Sequence, residues 1–175
     1  FVIKTASRAL VRGASAADLI VPVGYFSVVK EEHFQKLLDM LRVLPDQDRR
    51  RLTALVTGLD PEADKELLET LPTRFREVGV ETALEVDGKT VGLVAKTAHL
   101  DLKLVACRSD AAGVAAEDID GALERCQRYE VPTLASRVPK VGDSREANRR
   151  GFHFAVGPGV APALQTIGET LVVED

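Results

Sequence analysis

Glu85 and Val105 stand at or near the ends of two β-type runs, Val80 to Glu85 and Leu100 to Ala106. In parallel α/β folds chemistry collects at C-terminal strand ends, so what stands there decides the function. Glu85 offers a carboxylate; Val105 offers nothing reactive. Further on, Ser136 and Arg137 set a hydroxyl beside a guanidinium at the end of another run, a pair that suits an anion and equally suits a loop arginine serving as a surface charge. Other reactive residues have plainer readings. Gly157-Pro158-Gly159 faintly resembles a phosphate loop but lacks the Gly-rich continuation and the Lys-Ser/Thr, and reads as a turn. Arg49, Arg50 and Arg51 read as a solvated loop before a strand. His33, His99 and His153 have no metal-ligand spacing, and no Ser-His-Asp order with supporting motifs occurs. Cys107 and Cys126 read as free thiols, Cys126 as a small core residue on a helix face.

The elements that must position these residues alternate along the chain. Val80, Thr82 and Leu84 alternate with Glu81, Ala83 and Glu85, the period of a strand. Asp87-Gly88 turns the chain, a short apolar piece follows around Val91, Leu93 and Val94, and the second run makes a parallel βαβ unit. Upstream, Phe1 to Val11 has helical spacing, Ala17 to Val23 is a β-type run, and Glu31 to Val43 is an amphipathic helix carrying Phe34, Leu37, Leu38 and Leu41. Leu52 to Thr57 is a strand. Asp60-Pro61 reads as the start of a helix running toward Val78, kinked or split at Pro72. Downstream come a helix over Ala115 to Tyr129, a strand over Val131 to Ser136, and a short helix from Asp143 and Glu146 to Arg150. A strand at Phe152 to Val156, a helix at Ala161 to Ile167 and a last strand at Thr170 to Val173 complete the series. About seven strands alternating with helices predict one α/β domain with a parallel sheet over residues 1–175.

The bulk numbers fit that class. A chain of 175 residues with 45% hydrophobic and 29% charged residues can bury a sizeable core. A net charge of −4 argues against a nucleic-acid surface. No apolar run reaches the ~20 residues of a membrane span, and two free thiols without a secretory signal point to the cytoplasm. The abrupt start at Phe1 is read as a piece of a longer protein.

In element order the chain resembles the EAL domain family, the cyclic di-GMP phosphodiesterases built on a modified TIM (β/α) barrel. FVIKTASRAL (Phe1 to Leu10) is similar to the family helix WVLREACRQL. Val21 to Ser27 stands for the VNVS strand, RLTALVTG (Arg51 to Gly58) for RLELEITE, and GVETALEVDG (Gly79 to Gly88) for GVRIALDDFG. LKLV (Leu102 to Val105) stands for LKID, LASRV (Leu134 to Val138) for the segment around AEGVE, and GFHFAVG (Gly151 to Gly157) for GCDLIQG. The resemblance spans essentially the whole chain. It implies that the family's first strand, with the Glu-Ala-Leu signature, lies upstream of Phe1 and is absent here.

The family's chemistry needs hard oxygen ligands around two divalent metals. Carried over by the resemblance, the ligand asparagine becomes Gly24, the ExTE glutamates become Leu55 and Gly58, and the aspartate pair becomes Glu85 and Val86. Lys103 is kept, the aspartate after it becomes Val105, the AEG glutamate becomes Ser136 and the late glutamine Val156. One carboxylate cannot hold two metals. The resemblance therefore implies an inactive domain with no catalytic residues, no metal and no cofactor, acting as a protein-interaction or regulatory module in bacterial signalling. The alternatives are a cyclic di-GMP receptor that does not hydrolyse its ligand and, behind it, a residual phosphodiesterase. Glu85, Lys103, Ser136 and Arg137 are the ligand-binding candidates at the barrel mouth, with Glu85 and Lys103 expected to form an ion pair. The expected partner is another protein or a second copy, meeting the chain at the edge left by the missing strand near Val2, Ile3, Ala6 and Leu10.

Overall fold

Short runs of Val, Leu, Ala and Thr, residues that suit a pleated and buried surface, form six strands in the computed structural model. They are β1 (Leu19–Gly24), β2 (Leu52–Thr57), β3 (Glu81–Val86), β4 (Leu104–Arg108), β5 (Thr133–Ser136) and β6 (Phe154–Ala155). The structure describes residues 18–108 and 116–160. The expected helix at Phe1 to Val11, with the proposed contact residues Val2, Ile3, Ala6 and Leu10, lies outside them. So do the expected helix and strand beyond Ala161. Each strand pairs in parallel with the next in sequence, in the order β1-β2-β3-β4-β5-β6. A parallel sheet advancing one strand per crossover is the arrangement of a (β/α) barrel.

The helices are α1 (Phe26–Val29), α2 (Glu31–Arg42), α3 (Asp46–Arg49), α4 (Lys65–Arg76), α5 (Val94–Thr97, after a 3-10 turn at Val91–Leu93), α6 (Ala116–Arg128) and α7 (Val141–Arg149). In α2 the apolar stripe buries Phe34, Leu37, Leu38 and Leu41; in α4 it buries Leu68, Leu71, Pro72 and Phe75. These side chains meet Val21, Val23, Ala54, Val56, Leu84, Val86, Val105 and Cys107 on the outer face of the sheet. Each large side chain taken from water there contributes ~1.5–3 kcal/mol. Phe34 and Phe75 pack at 5.2 Å between ring centroids, and Arg74 lies over Phe34 at 4.2 Å. The same guanidinium grips Glu31 through two bonds of 2.6 and 2.7 Å, a fork-on-carboxylate geometry.

Local chemistry departs from expectation in four places. Pro72 leaves α4 as one continuous helix, because its ring is buried among Leu68, Leu71 and Phe75 and that packing offsets the missing N–H. Asp60 starts a turn, accepting from the Glu62 amide at 2.9 Å, while Asp64 caps α4 by accepting from the Glu66 amide at 2.9 Å. α7 begins at Val141, ahead of Asp143. Arg49 belongs to α3 and does not sit in a solvated loop. It donates to the carbonyls of Arg42 (3.0 Å) and Leu44 (2.7 Å) and pairs with Asp46, so it closes the C-terminal end of α2.

Candidate functional site: the mouth of the barrel

The inner face of the sheet is set by register. Leu55 is level with Ala83, Ala83 with Leu104, and Ala106 with Leu134. These residues form a small aliphatic cluster separate from the helix-facing core. Two residues on along each strand, the same face carries Glu85 on β3 and Ser136 on β5. Glu85 is 7% exposed and Ser136 5%. The Ser136 hydroxyl donates to Glu85 Oε1 at 3.0 Å, and Arg137 Nε lies 3.9 Å from the same oxygen. β4 runs between these strands, and Ala106 is the residue level with Glu85. The bond therefore crosses over a methyl group, and any larger side chain at Ala106 would stand in its path.

Arg137 holds its position at φ 59, a left-handed backbone. The resemblance to the AEG segment puts a glycine there, and an arginine in that conformation is strained. The turn at Gly157-Pro158-Gly159 supplies the constraint. The Val138 amide donates to the Val156 carbonyl at 3.0 Å, and the Gly159 amide donates to the Val138 carbonyl at 2.9 Å. A Cβ on Gly157 would meet Val138 backbone atoms at 2.4 Å, and one on Gly159 would meet Lys140 at 2.3 Å. The glycines expected to make a turn thus let two segments touch and fix Arg137, a role no sequence pattern announced.

Asp87 shapes the next loop. It accepts from the amides of Lys89 (3.0 Å) and Thr90 (3.2 Å) and from the Thr90 hydroxyl (2.9 Å). Burial works to raise this carboxyl, but those bonds and the charge of Arg108 outweigh it and hold it below its usual value.

Three candidates, Glu85, Ser136 and Arg137, come together; Lys103 does not. It precedes β4, at the end of the strand away from the mouth, and its amide donates to the Thr82 carbonyl at 2.8 Å. It shares strand parity with Val105 and Cys107, which pack on the helix side. Lys103 and Glu85 therefore lie on opposite faces and at opposite ends of the sheet, and the expected ion pair is replaced by the Ser136 and Arg137 contacts. The same register corrects Val105, which is buried against the helices. Leu104 and Ala106 of β4 face inward in its place.

His153 Nδ1 accepts from the Thr133 amide at 3.1 Å and lies 2.9 Å from the Thr133 hydroxyl, tying β6 to β5. Among the described residues no group of three or more His, Cys, Asp or Glu is placed to hold a metal. Cys107 and Cys126 are free and buried. Burial, and then the neighbouring Cys126, push the Cys107 thiol up to about 12; burial pushes Cys126 up to about 11.

No protein-family model and no curated protein sequence matches the chain. Solved structures do match. The EAL domain protein of Listeria monocytogenes EGD-e superposes with a TM-score of 0.70 at 10% identity, covering 93% of this chain and 66% of that one. The EAL domain of Mycobacterium smegmatis DcpA gives 0.67 at 19% identity, covering 89% and 74%. The Xanthomonas citri FimX EAL domain in complex with c-diGMP gives 0.65 at 18% identity, covering 91% and 65%. This chain therefore spans about two thirds of the Listeria and FimX chains, and it has the fold of the EAL domains.

Proposed function

We propose that this chain is a catalytically inactive EAL-type domain, a cytoplasmic protein-interaction or regulatory module of bacterial cyclic di-GMP signalling. The observation that carries the reading is the inner face of the sheet. There Glu85, the carboxylate at the mouth end of the inner face of the strands among the described residues, is bonded by Ser136 and approached by Arg137 beside a layer of Leu55, Ala83, Leu104, Ala106 and Leu134. Two-metal phosphodiester hydrolysis needs several oxygen ligands held around a pair of ions. The positions carried over by the resemblance offer Gly24, Leu55, Gly58, Val86, Val105, Ser136 and Val156 beside Glu85, and the observed register of β4 puts Ala106 inward in place of Val105; neither set can grip two metals. A single domain with this fold is retained for its surface, with another protein or a second copy as its partner.

A receptor that binds cyclic di-GMP without cleaving it is the second reading. It is favoured by the FimX EAL domain, whose structure is a complex with that nucleotide, and by the hydroxyl and guanidinium of Ser136 and Arg137 at the mouth. Titration with cyclic di-GMP, with and without magnesium or manganese, tests both readings. The first expects neither a saturable heat of binding nor a linear dinucleotide product. Binding without product establishes the receptor, and metal-dependent product overturns both.

A further inference from the structure

Behind the mouth, on the helix side of β4 and β5, lies a cavity of about 180 Å3. Its floor is made by Cys107 and Ala135, register partners on adjacent strands, and Ile119 of α6 forms one wall. The opposite wall is a single stripe of α7 and its C-cap: Asp143, Glu146, Ala147 and Arg150, spaced i, i+3, i+4 and i+7. Asp143 and Arg150 are thus two helical turns apart, about 10 Å along the axis, with the small Ala147 between them.

Opposite charges stand at the two ends, Asp143 exposed and Arg150 half-buried. Asp143 makes no ion pair among the described residues. Arg150 reaches Asp120 at 3.6 Å and Glu146 at 3.9 Å, both longer than the ~2.7–3.2 Å of a formed hydrogen bond. Arg108 lines the same cavity. A carboxylate matches the guanidinium fork, an ammonium matches Asp143 with Glu146 beside it, and the apolar floor and wall of Cys107, Ala135, Ala147 and Ile119 take an aliphatic stem. A cavity of ~150 Å3 accepts benzene, whereas larger ligands occupy pockets of roughly 300–1,000 Å3. The space suits a small molecule and excludes a dinucleotide. We propose that this cavity binds a small zwitterion whose ammonium and carboxylate are separated by an aliphatic stem, of the ω-amino acid class. The inference is independent of the reading of the mouth, because Cys107 and Ala135 lie on the face of the sheet opposite Glu85 and Ser136.

The probe is ε-aminocaproate, with caproate and hexylamine as single-charge controls, followed by proton–carbon NMR of the Ile119 and Ala147 methyl groups in the whole chain. The expected result is a saturable shift of both methyls by ε-aminocaproate and binding at least about tenfold weaker for each control. Arg150→Gln should weaken the zwitterion by about tenfold and weaken caproate with it while leaving hexylamine unchanged, and Ala147→Leu, which fills the cavity, should abolish the Ile119 shift. Absence of a saturable shift up to the solubility limit overturns the proposal. So does a control that binds as well as the zwitterion, or binding that survives in Ala147→Leu. If Ala147→Leu does not fold, unchanged affinity in Arg150→Gln is enough to reject it.

Discussion

The two faces of the sheet are built from the same residue types and do different work. On the outer face, Val56, Leu84 and Val105 meet the long side chains of α2 and α4, and the Phe34–Phe75 contact sits in the middle of a continuous core. On the inner face the apolar layer is five small and medium side chains spread over β2 to β5, and Glu85 and Ser136 lie at its mouth end. The outer face holds the fold together; the inner face decides whether the mouth carries chemistry. Apolar character alone does not tell them apart, because both belong to a parallel sheet covered on both sides.

If the comparison is right, the largest effects come from the outer face. Phe75→Ala is expected to cost ~3–5 kcal/mol by urea denaturation, since Phe75 is fully buried among rigid neighbours, whereas Leu55→Ala in the thinner inner layer should fall near ~2 kcal/mol. Equal losses would break the distinction. The outer face also has an alkaline signature. The Cys107 thiol is pushed from an ordinary 9.0 to about 12, so its contribution is complete below pH 9 and is lost as the pH rises toward 12. The loss is on the order of 4 kcal/mol for this fully buried thiol. Cys107→Ala should flatten the fall in stability between pH 9 and 12, measured by urea midpoints along the pH series; an unchanged slope would place the thiol in water.

How much of this was legible in the sequence follows from the same contrast. The amphipathic stripes of α2 and α4 have an exposed side to compare with, so Phe34, Leu37, Leu38 and Leu41 announced themselves by spacing. The parallel sheet followed from alternation and element order, whereas the placing of Glu85, Ser136 and Arg137 at the barrel mouth came with the resemblance. The face of β4 did not. Leu102 to Cys107 is apolar at nearly every position, so nothing in the run distinguishes inward from outward, and a slip of one residue exchanges the faces. That slip moved Lys103 and Val105 inward on paper, where the fold places Leu104 and Ala106. Arg49 was missed for another reason: its partners are carbonyls of Arg42 and Leu44, which any sequence supplies.

A smaller effect belongs to the inner face. Glu85→Ala removes an acceptor of the buried Ser136 hydroxyl and should cost ~1–3 kcal/mol, the range for a buried polar group that loses a partner. Glu85→Gln keeps an acceptor within reach of Ser136, and because Arg137 is 3.9 Å away with its side chain 55% exposed, losing the charge should add little. Urea midpoints for both variants sharpen the point: a Gln substitution as damaging as Ala would mean that the Arg137 ion pair, and not the Ser136 bond, holds the mouth.

The smallest expected effect decides the register. A buried carboxylate deprived of its only cation typically loses ~3–5 kcal/mol, so a Lys103 that neutralised Glu85 would be among the most sensitive positions in the sheet. Here Lys103 is exposed, lies outside β4 and shares the parity of Val105. Lys103→Ala should therefore change stability by no more than about 0.5 kcal/mol, as for an ordinary surface position. The double variant with Glu85→Ala should equal the sum of the single changes within ~0.3–0.5 kcal/mol, the behaviour of groups that share no partner. A coupling of a kilocalorie or more, read from the four urea curves, would put Lys103 back at the mouth, turn β4 over by one residue, and exchange the two faces on which the comparison rests.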